Sequence, residues 1–203
     1  MARTQRRMSN NMRNISIPLG LILLCSLFMA CQHSPRQNYY LLSAPAVSTP
    51  DQQAIEQVIG IGPLEIADYL KRKHMVSVRP DQSLQIAAND FWAEPLDKGI
   101  IRVLALNLTQ QNPSRMVLPF PWRSDSRPPL SVRLQVHSLN LDNEGASIHV
   151  TWEIFDNQAR ATLNRQHFIR RIPCERQAAA MAKAYGDLLA ALAQEIGKAL
   201  PDQ

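Results

Sequence analysis

"SVRLQVHSLNLDNEGASIHVTWEI", residues 131–154, holds two runs in which apolar and polar side chains alternate. In the first, Val132, Leu134 and Val136 alternate with Arg133, Gln135 and His137; in the second, Ile148, Val150, Trp152 and Ile154 alternate with Ser147, His149, Thr151 and Glu153. A period of two is the signature of a strand with one wet and one dry face. Folding the runs back about "DNEG" (142–145) so that apolar partners share a face pairs Val136 with Val150, Leu134 with Trp152 and Val132 with Ile154. The same register sets Arg133 against Glu153 and His137 against His149. It leaves a three-residue loop closed by Gly145 in the left-handed conformation.

Downstream, "ATLNRQHFIRR" (161–171) predicts a further strand returning alongside. The last stretch, "ERQAAAMAKAYGDLLAALAQEIGKAL", places Met181, Tyr185, Leu188, Leu189, Leu192 and Ile196 at helical spacing, so an amphipathic helix faces the sheet. Upstream, residues 92–111 predict a second helix. Pro95 suits its first position, Asp97 suits the dipole, and Leu96, Ile100, Val103, Leu104 and Leu108 form the buried stripe. Gly99 inside that helix costs about 1 kcal/mol relative to Ala and implies close packing against another backbone. Between helix and hairpin, "NPSRMVLPFPWRSDSRPP" (112–129) predicts a long Pro-rich connection. Its Phe120, Pro121 and Trp122 make it a candidate contact loop, the alternative being that the two aromatics plug the edge of the core. Further upstream, "QVIGIGPLEI" (57–66) is an extended run bent by Gly60, Gly62 and Pro63. "ADYLKR" is a single helical turn, and "MVSVR" (75–79) and "SLQIA" (83–87) are strands about a "PDQ" turn. These elements predict an α+β domain, a mainly antiparallel sheet with two principal helices packed on one face.

Little in this pattern supports catalysis. No G-x-S-x-G or H-E-x-x-H motif is present, "GIG" lacks the third glycine of a dinucleotide loop, and the chain has 7 Gly to shape reactive turns. His137, His149 and His167 share a polar face, but nothing forces the fourth ligand of a tetrahedral site, so no metal and no cofactor is assigned.

The N-terminus has a different character. Residues 1–14 carry Arg3, Arg6, Arg7 and Arg13 and no acid, and Ile15 to Ala30 is apolar but interrupted by Pro18 and Gly20. Sixteen such residues would make a helix of about 24 Å against a hydrocarbon core of roughly 30 Å, short for a membrane span. An ordinary signal-peptidase site wants small residues at the third and first positions before the cut, and Phe28 is not small. "LFMAC" (27–31) resembles a bacterial lipobox, with cleavage after Ala30 and acylation of Cys31, although Leu stands at 27 rather than at 28. The other reading is a plain signal peptide with an incidental cysteine. The resemblance divides the chain into residues 1–30 as lipoprotein signal peptide, 31–38 as lipidated tether and 39–203 as one periplasmic domain. Gln32, not Asp, follows the cysteine, which in such lipoproteins implies the outer membrane.

Removing residues 1–30 takes away four arginines and no acids, so 22 − 4 = 18 Lys+Arg face 17 Asp+Glu, a net charge of +1. The basic character therefore belongs to the signal. The compact run Lys71, Arg72, Lys73 is a solvated turn rather than a nucleic-acid face. With Cys25 removed and Cys31 modified, Cys174 stands alone as a small core or loop residue. Only seven residues, "QHSPRQN", separate Cys31 from "YYLLS", and seven residues span at most about 25 Å. The folded body is thereby held close to its membrane.

The lipobox, then "YYLLSAP" with Tyr39, Tyr40 and Leu41, then "DYL" with Tyr69 and Leu70, then "WAEPL" with Trp92, Glu94, Pro95 and Leu96, then "VLALNL" and "PW", resemble the ABC-type transport auxiliary lipoprotein family (PqiC/YmbA-like). The resemblance departs from the family at "LKRKH", where a single Arg is usual. It implies a non-enzymatic outer-membrane subunit of an MCE-type (Pqi-like) intermembrane lipid transport system that supports envelope integrity. Cys31 would be its lipid anchor, an MCE-domain (PqiB-like) periplasmic tube protein its partner, and a homo-oligomeric ring its assembly. The motif residues would be structural. The alternative function is a periplasmic lipid-carrying lipoprotein with an internal cavity.

Overall fold

The computed structural model describes residues 36–44 and 54–201. The chain divides between Arg36 and Gln37 into two units, and the second, residues 37–203, carries every strand and helix among the described residues. The elements run β1 (Asn38–Tyr40), β2 (Gln57–Ile66), β3 (His74–Val78), β4 (Leu84–Trp92), α1 (Leu96–Gln111), β5 (Arg115–Pro119), β6 (Leu130–Asp142), β7 (Gly145–Asp156), β8 (Ala161–Ile172) and α2 (Ala178–Ala199). Short 3-10 turns occupy Asp68–Lys71, where "ADYLKR" predicts a helical turn, and Ser124–Ser126.

The fold class is α+β, as the residue pattern predicts, and the strands form two mixed sheets. The larger has the order β5-β2-β6-β7-β8 and the smaller β1-β4-β3. β6, β7 and β8 are antiparallel neighbours, while β2 runs parallel to both β5 and β6. The parallel part was not legible, because alternation shows which residues share a face but not the direction of a strand's neighbour.

The hairpin register is the predicted one over its long limb: Val132, Arg133, Leu134 and Val136 face Ile154, Glu153, Trp152 and Val150. It then shifts by one residue. Ser138, not His137, pairs with His149, and the turn closes with Asp142 opposite Gly145. The odd residue is taken up by a bulge at His137, so the loop holds two residues rather than three. Gly145 has φ +123°, and a Cβ there would strike the Ile172 carbonyl oxygen.

One core lies between the larger sheet and the two helices. Val132, Leu134, Val136, Ile148, Val150, Trp152 and Ile154 join Leu96, Ile100, Val103, Leu104 and Leu108 of α1 and Tyr185, Leu188, Leu189, Leu192 and Ile196 of α2 in a single buried cluster. Each fully buried aliphatic side chain contributes about 1.5–3 kcal/mol of transfer free energy. Two helix details differ from expectation. Pro95 is the N-cap rather than the first helical residue. Gly99 meets the Glu94 carboxylate and the Leu42 side chain rather than a neighbouring backbone.

The connection 112–129 contains β5, which pairs with β2 from Gln57↔Arg115 to Ile61↔Pro119. Its prolines concealed the strand: Pro119 sits at the strand's end, on a sheet edge where a missing N–H is tolerated. β8 is the opposite edge. Of its twelve residues Phe168 alone is buried.

Candidate functional site

The predicted motif residues converge at the start of α1. β1 lies parallel to β4, pairing Tyr39 with Phe91 and Tyr40 with Trp92. Trp92 turns inward and stacks on Tyr185, with ring centroids 6.0 Å apart. Glu94, in the bend before α1, accepts the Arg102 Nε–H at 3.1 Å and Nη2–H at 2.5 Å, and the same Nη2 donates to the Leu42 carbonyl at 2.8 Å. The guanidinium thus ties the end of β4, the second turn of α1 and the segment after β1. Pro95 begins the helix and Leu96 is buried. Leu70 is buried on the 3-10 turn, and Tyr69 beside it donates to Asn140 Oδ1 at 2.6 Å and accepts the Leu139 N–H at 3.1 Å. Burial raises the Tyr69 phenol above its ordinary pKa, against the Leu139 bond. Burial pushes the enclosed Tyr185 phenol well above 10; its hydroxyl donates to the Leu139 carbonyl at 3.1 Å. These contacts make the motif cluster a structural joint. Tyr39 and Leu41 are the exceptions, 60% and 53% exposed.

The candidate contact loop lies across the larger sheet. Phe120 N–H donates to the Ile61 carbonyl at 2.9 Å and Trp122 Nε1–H to the Leu118 carbonyl at 2.9 Å. A Cβ on Gly60 would overlap Trp122 and reach within 2.6 Å of Pro128 Cγ, so glycine is what lets both lie on the strand. Trp122 therefore plugs the sheet, while Phe120, edge-on to it at 5.2 Å, stays exposed and Pro121 with it. Of the two aromatics, then, one covers the sheet and the other stands exposed.

On the outer face of the larger sheet, the His137 and His149 ring centroids lie 4.7 Å apart and those of His149 and His167 6.1 Å. Thr151 Oγ1 sits 2.7 Å from His137 Nε2 and 3.1 Å from His167 Nδ1. Among the described residues no group of three or more His, Cys, Asp and Glu is arranged to hold a metal ion. Next along the face, burial pushes the Glu153 carboxyl up. Hydrogen bonds from Arg165 and Thr162 and the charges of Arg165 and Arg133 outweigh it and leave the pKa below its ordinary value. Arg133 lies 3.3 Å over the Phe155 ring.

An open cleft of about 600 Å³ runs between the smaller sheet and the start of α2, lined in part by Met75, Ile86, Leu141, Met181 and Arg176. Cys174 is half-buried, its thiol raised by burial and then by Glu175, the opposite of an activated nucleophile. Ala30 and Cys31 lie outside the described residues. Three polar groups escaped the sequence reading. Arg102 and the Tyr185 hydroxyl look like an exposed helix cation and a core aromatic. Buried Arg115, whose Nε donates to Gln57 Oε1 at 2.7 Å, sits on the unforeseen β5.

No helix among the described residues is long and apolar enough to cross a membrane. The chain is 30% identical over 109 residues to the intermembrane transport lipoprotein PqiC of Escherichia coli (strain K12), an alignment that takes in 51% of the chain and 57% of the relative. The chain therefore matches little more than half the length of that relative. Its fold is shared by the crystal structure of an uncharacterized protein (TM-score 0.65, 20% identity, 81% of this chain and 98% of the other). It is also shared by a protein of Xanthomonas campestris (TM-score 0.61, 17% identity, 79% and 92%). A family model of the ABC-type transport auxiliary lipoprotein component, which is a transport component rather than an enzyme class, matches residues 40–197. Spanning both sheets and both helices, that match shows that the chain belongs to the ABC-type transport auxiliary lipoprotein family.

Proposed function

We propose that this protein is an outer-membrane lipoprotein subunit of an MCE-type intermembrane lipid transport system, anchored through acylated Cys31 and facing the periplasm. In this reading it docks the end of an MCE-domain (PqiB-like) tube protein at the outer membrane, as a homo-oligomeric ring. The observation that carries the reading is the family match over residues 40–197, which begins a few residues beyond the candidate anchor. A body on a tether of at most about 25 Å is suited to receiving a conduit at the bilayer and not to crossing the periplasm alone. The edge strand β8, with Leu163 54% and Ile169 71% exposed, is a surface on which copies or a tube protein can pack.

The second reading, a lipid carrier, draws support from the open cleft with Met75, Ile86, Leu141 and Met181 in its wall. The residues 30–31 junction is testable by mass spectrometry, which should find an acylated Cys31 as the new N-terminus. Affinity capture of the tagged full chain from envelope extract should then recover an MCE protein. Capture that yields bound lipid beyond the anchor and no MCE protein would favour the carrier.

A further inference from the structure

The smaller sheet ends in a row of rings. Tyr39 of β1 stacks on Phe91 of β4 with centroids 5.4 Å apart, and Phe91 meets His74 of β3 at 4.4 Å. The His74 Nδ1 is held by the Ala87 carbonyl at 2.9 Å, which fixes that ring. Tyr39 is 60% exposed, and Leu41 two residues on is 53% exposed. Trp92 N–H donates to the Lys73 carbonyl, so the chain before His74 lies at the same end of the sheet. There Arg72 and Lys73 are exposed and have no ion-pair partner among the described residues, whereas Lys71 is paired with Asp68 at 2.6 Å. The one carboxylate facing this end from β4, Asp90, is engaged by Asn38 Nδ2 at 3.0 Å and the Tyr40 hydroxyl at 3.4 Å.

We propose that the Tyr39, Phe91 and His74 row, with Leu41, Arg72 and Lys73, is a membrane-seating surface that rests on the anionic headgroups of the bilayer holding the anchor. The proposal rests on acylation of Cys31 as put forward above. Chain length selects the occupant. Seven residues between Cys31 and Tyr39 reach at most about 25 Å, and Tyr39 is the first ring after them, so this end of the domain is the one the anchor keeps at the surface. Chemistry agrees: a phenol with an apolar body and a polar tip suits the headgroup layer, and unpaired cations beside it suit anionic lipid.

The test uses the full acylated chain, reconstituted from detergent into phosphatidylethanolamine–phosphatidylglycerol vesicles. An environment-sensitive fluorophore is placed at Tyr39→Cys or, as control, at Ile169→Cys, each in a Cys174→Ser background, and lipid-borne nitroxide is the quencher. The label at 39 should lose most of its emission and the label at 169 should keep it. Arg72→Glu with Lys73→Glu should lower the ratio of seated to unseated molecules at least roughly fivefold for each cation replaced, the equivalent of about 1 kcal/mol per cation lost. Protein that floats with the vesicles while the label at 39 stays as bright as that at 169 overturns the seating surface and leaves the anchor standing. Unchanged quenching after both charge reversals overturns the anionic match. Protein that does not float, with a free Cys31 thiol by mass spectrometry, overturns the anchor and the seating surface together.

Discussion

Tyr69 and Tyr185 grip the same residue from two elements: Tyr69 accepts the Leu139 N–H and Tyr185 donates its O–H to the Leu139 carbonyl. The reason lies in the sheet. β2 accompanies β6 only as far as Ile66↔Val136, after which β6 has no parallel neighbour and its groups on that side need other partners. Tyr185→Phe strands a buried carbonyl and should cost about 1–3 kcal/mol in denaturant unfolding. Tyr69→Phe, nearer to solvent, should cost less.

Gly60→Ala tests whether Trp122 plugs the sheet. The added methyl overlaps the Trp122 ring and crowds Pro128, so the loop must lift, at about 1–3 kcal/mol. Trp122 should then become more accessible to a soluble quencher, read as the difference from the same measurement on Trp122→Phe. Unchanged accessibility and stability would mean the loop is not held there.

Replacing Arg102 with Met should loosen the segment after β1, because the guanidinium is the link from the Leu42 carbonyl to Glu94. Both side chains of the ion pair are partly exposed, at 40% and 29%, so solvent screening limits the loss to about 1 kcal/mol. Limited proteolysis should show faster cleavage near residues 41–44, with the two sheets still intact.

Acid should weaken the β6–β7 turn and the outer face of the hairpin. The Arg171 hydrogen bond first, against burial, holds Asp142 below its ordinary 3.8, and Glu153 also lies below its ordinary 4.5. A carboxyl depressed in the folded state binds protons more weakly than in the unfolded chain. Its stabilisation is therefore whole above the ordinary value and drains away as pH falls through the folded value. Thermal stability should thus fall as pH drops below about 4.5, where the carboxyls of the unfolded chain begin to take up protons ahead of their folded counterparts. In Arg171→Gln the part of the fall due to Asp142 should shrink, because its pKa then returns towards 3.8.

The hairpin and both helices were legible because each has a polar face and an apolar face, and period alone separates them. The single-residue shift at His137 was not, since Ser138 is as polar as His137 and either can stand on the wet side. β5 was hidden by Pro113 ahead of it and Pro119 at its end, although "RMVL" between them is ordinary strand sequence. At the motif cluster, Trp92, Pro95 and Leu96 were legible as the start of a helix. The Glu94–Arg102 tie was not, because it joins a bend to a helix across eight positions, a spacing that has no fixed geometry until both are folded.

The parallel placement of β2 has a temporal consequence. Ile59 pairs with Leu130, 130 − 59 = 71 positions later, so the middle of the larger sheet cannot assemble until two thirds of the chain is available. A polypeptide emerging amino end first, from a ribosome or a translocation channel, presents the sticky "VIGI" ribbon long before its mate arrives. During that interval the ribbon is an open edge, exposed to wrong partners before its own arrives.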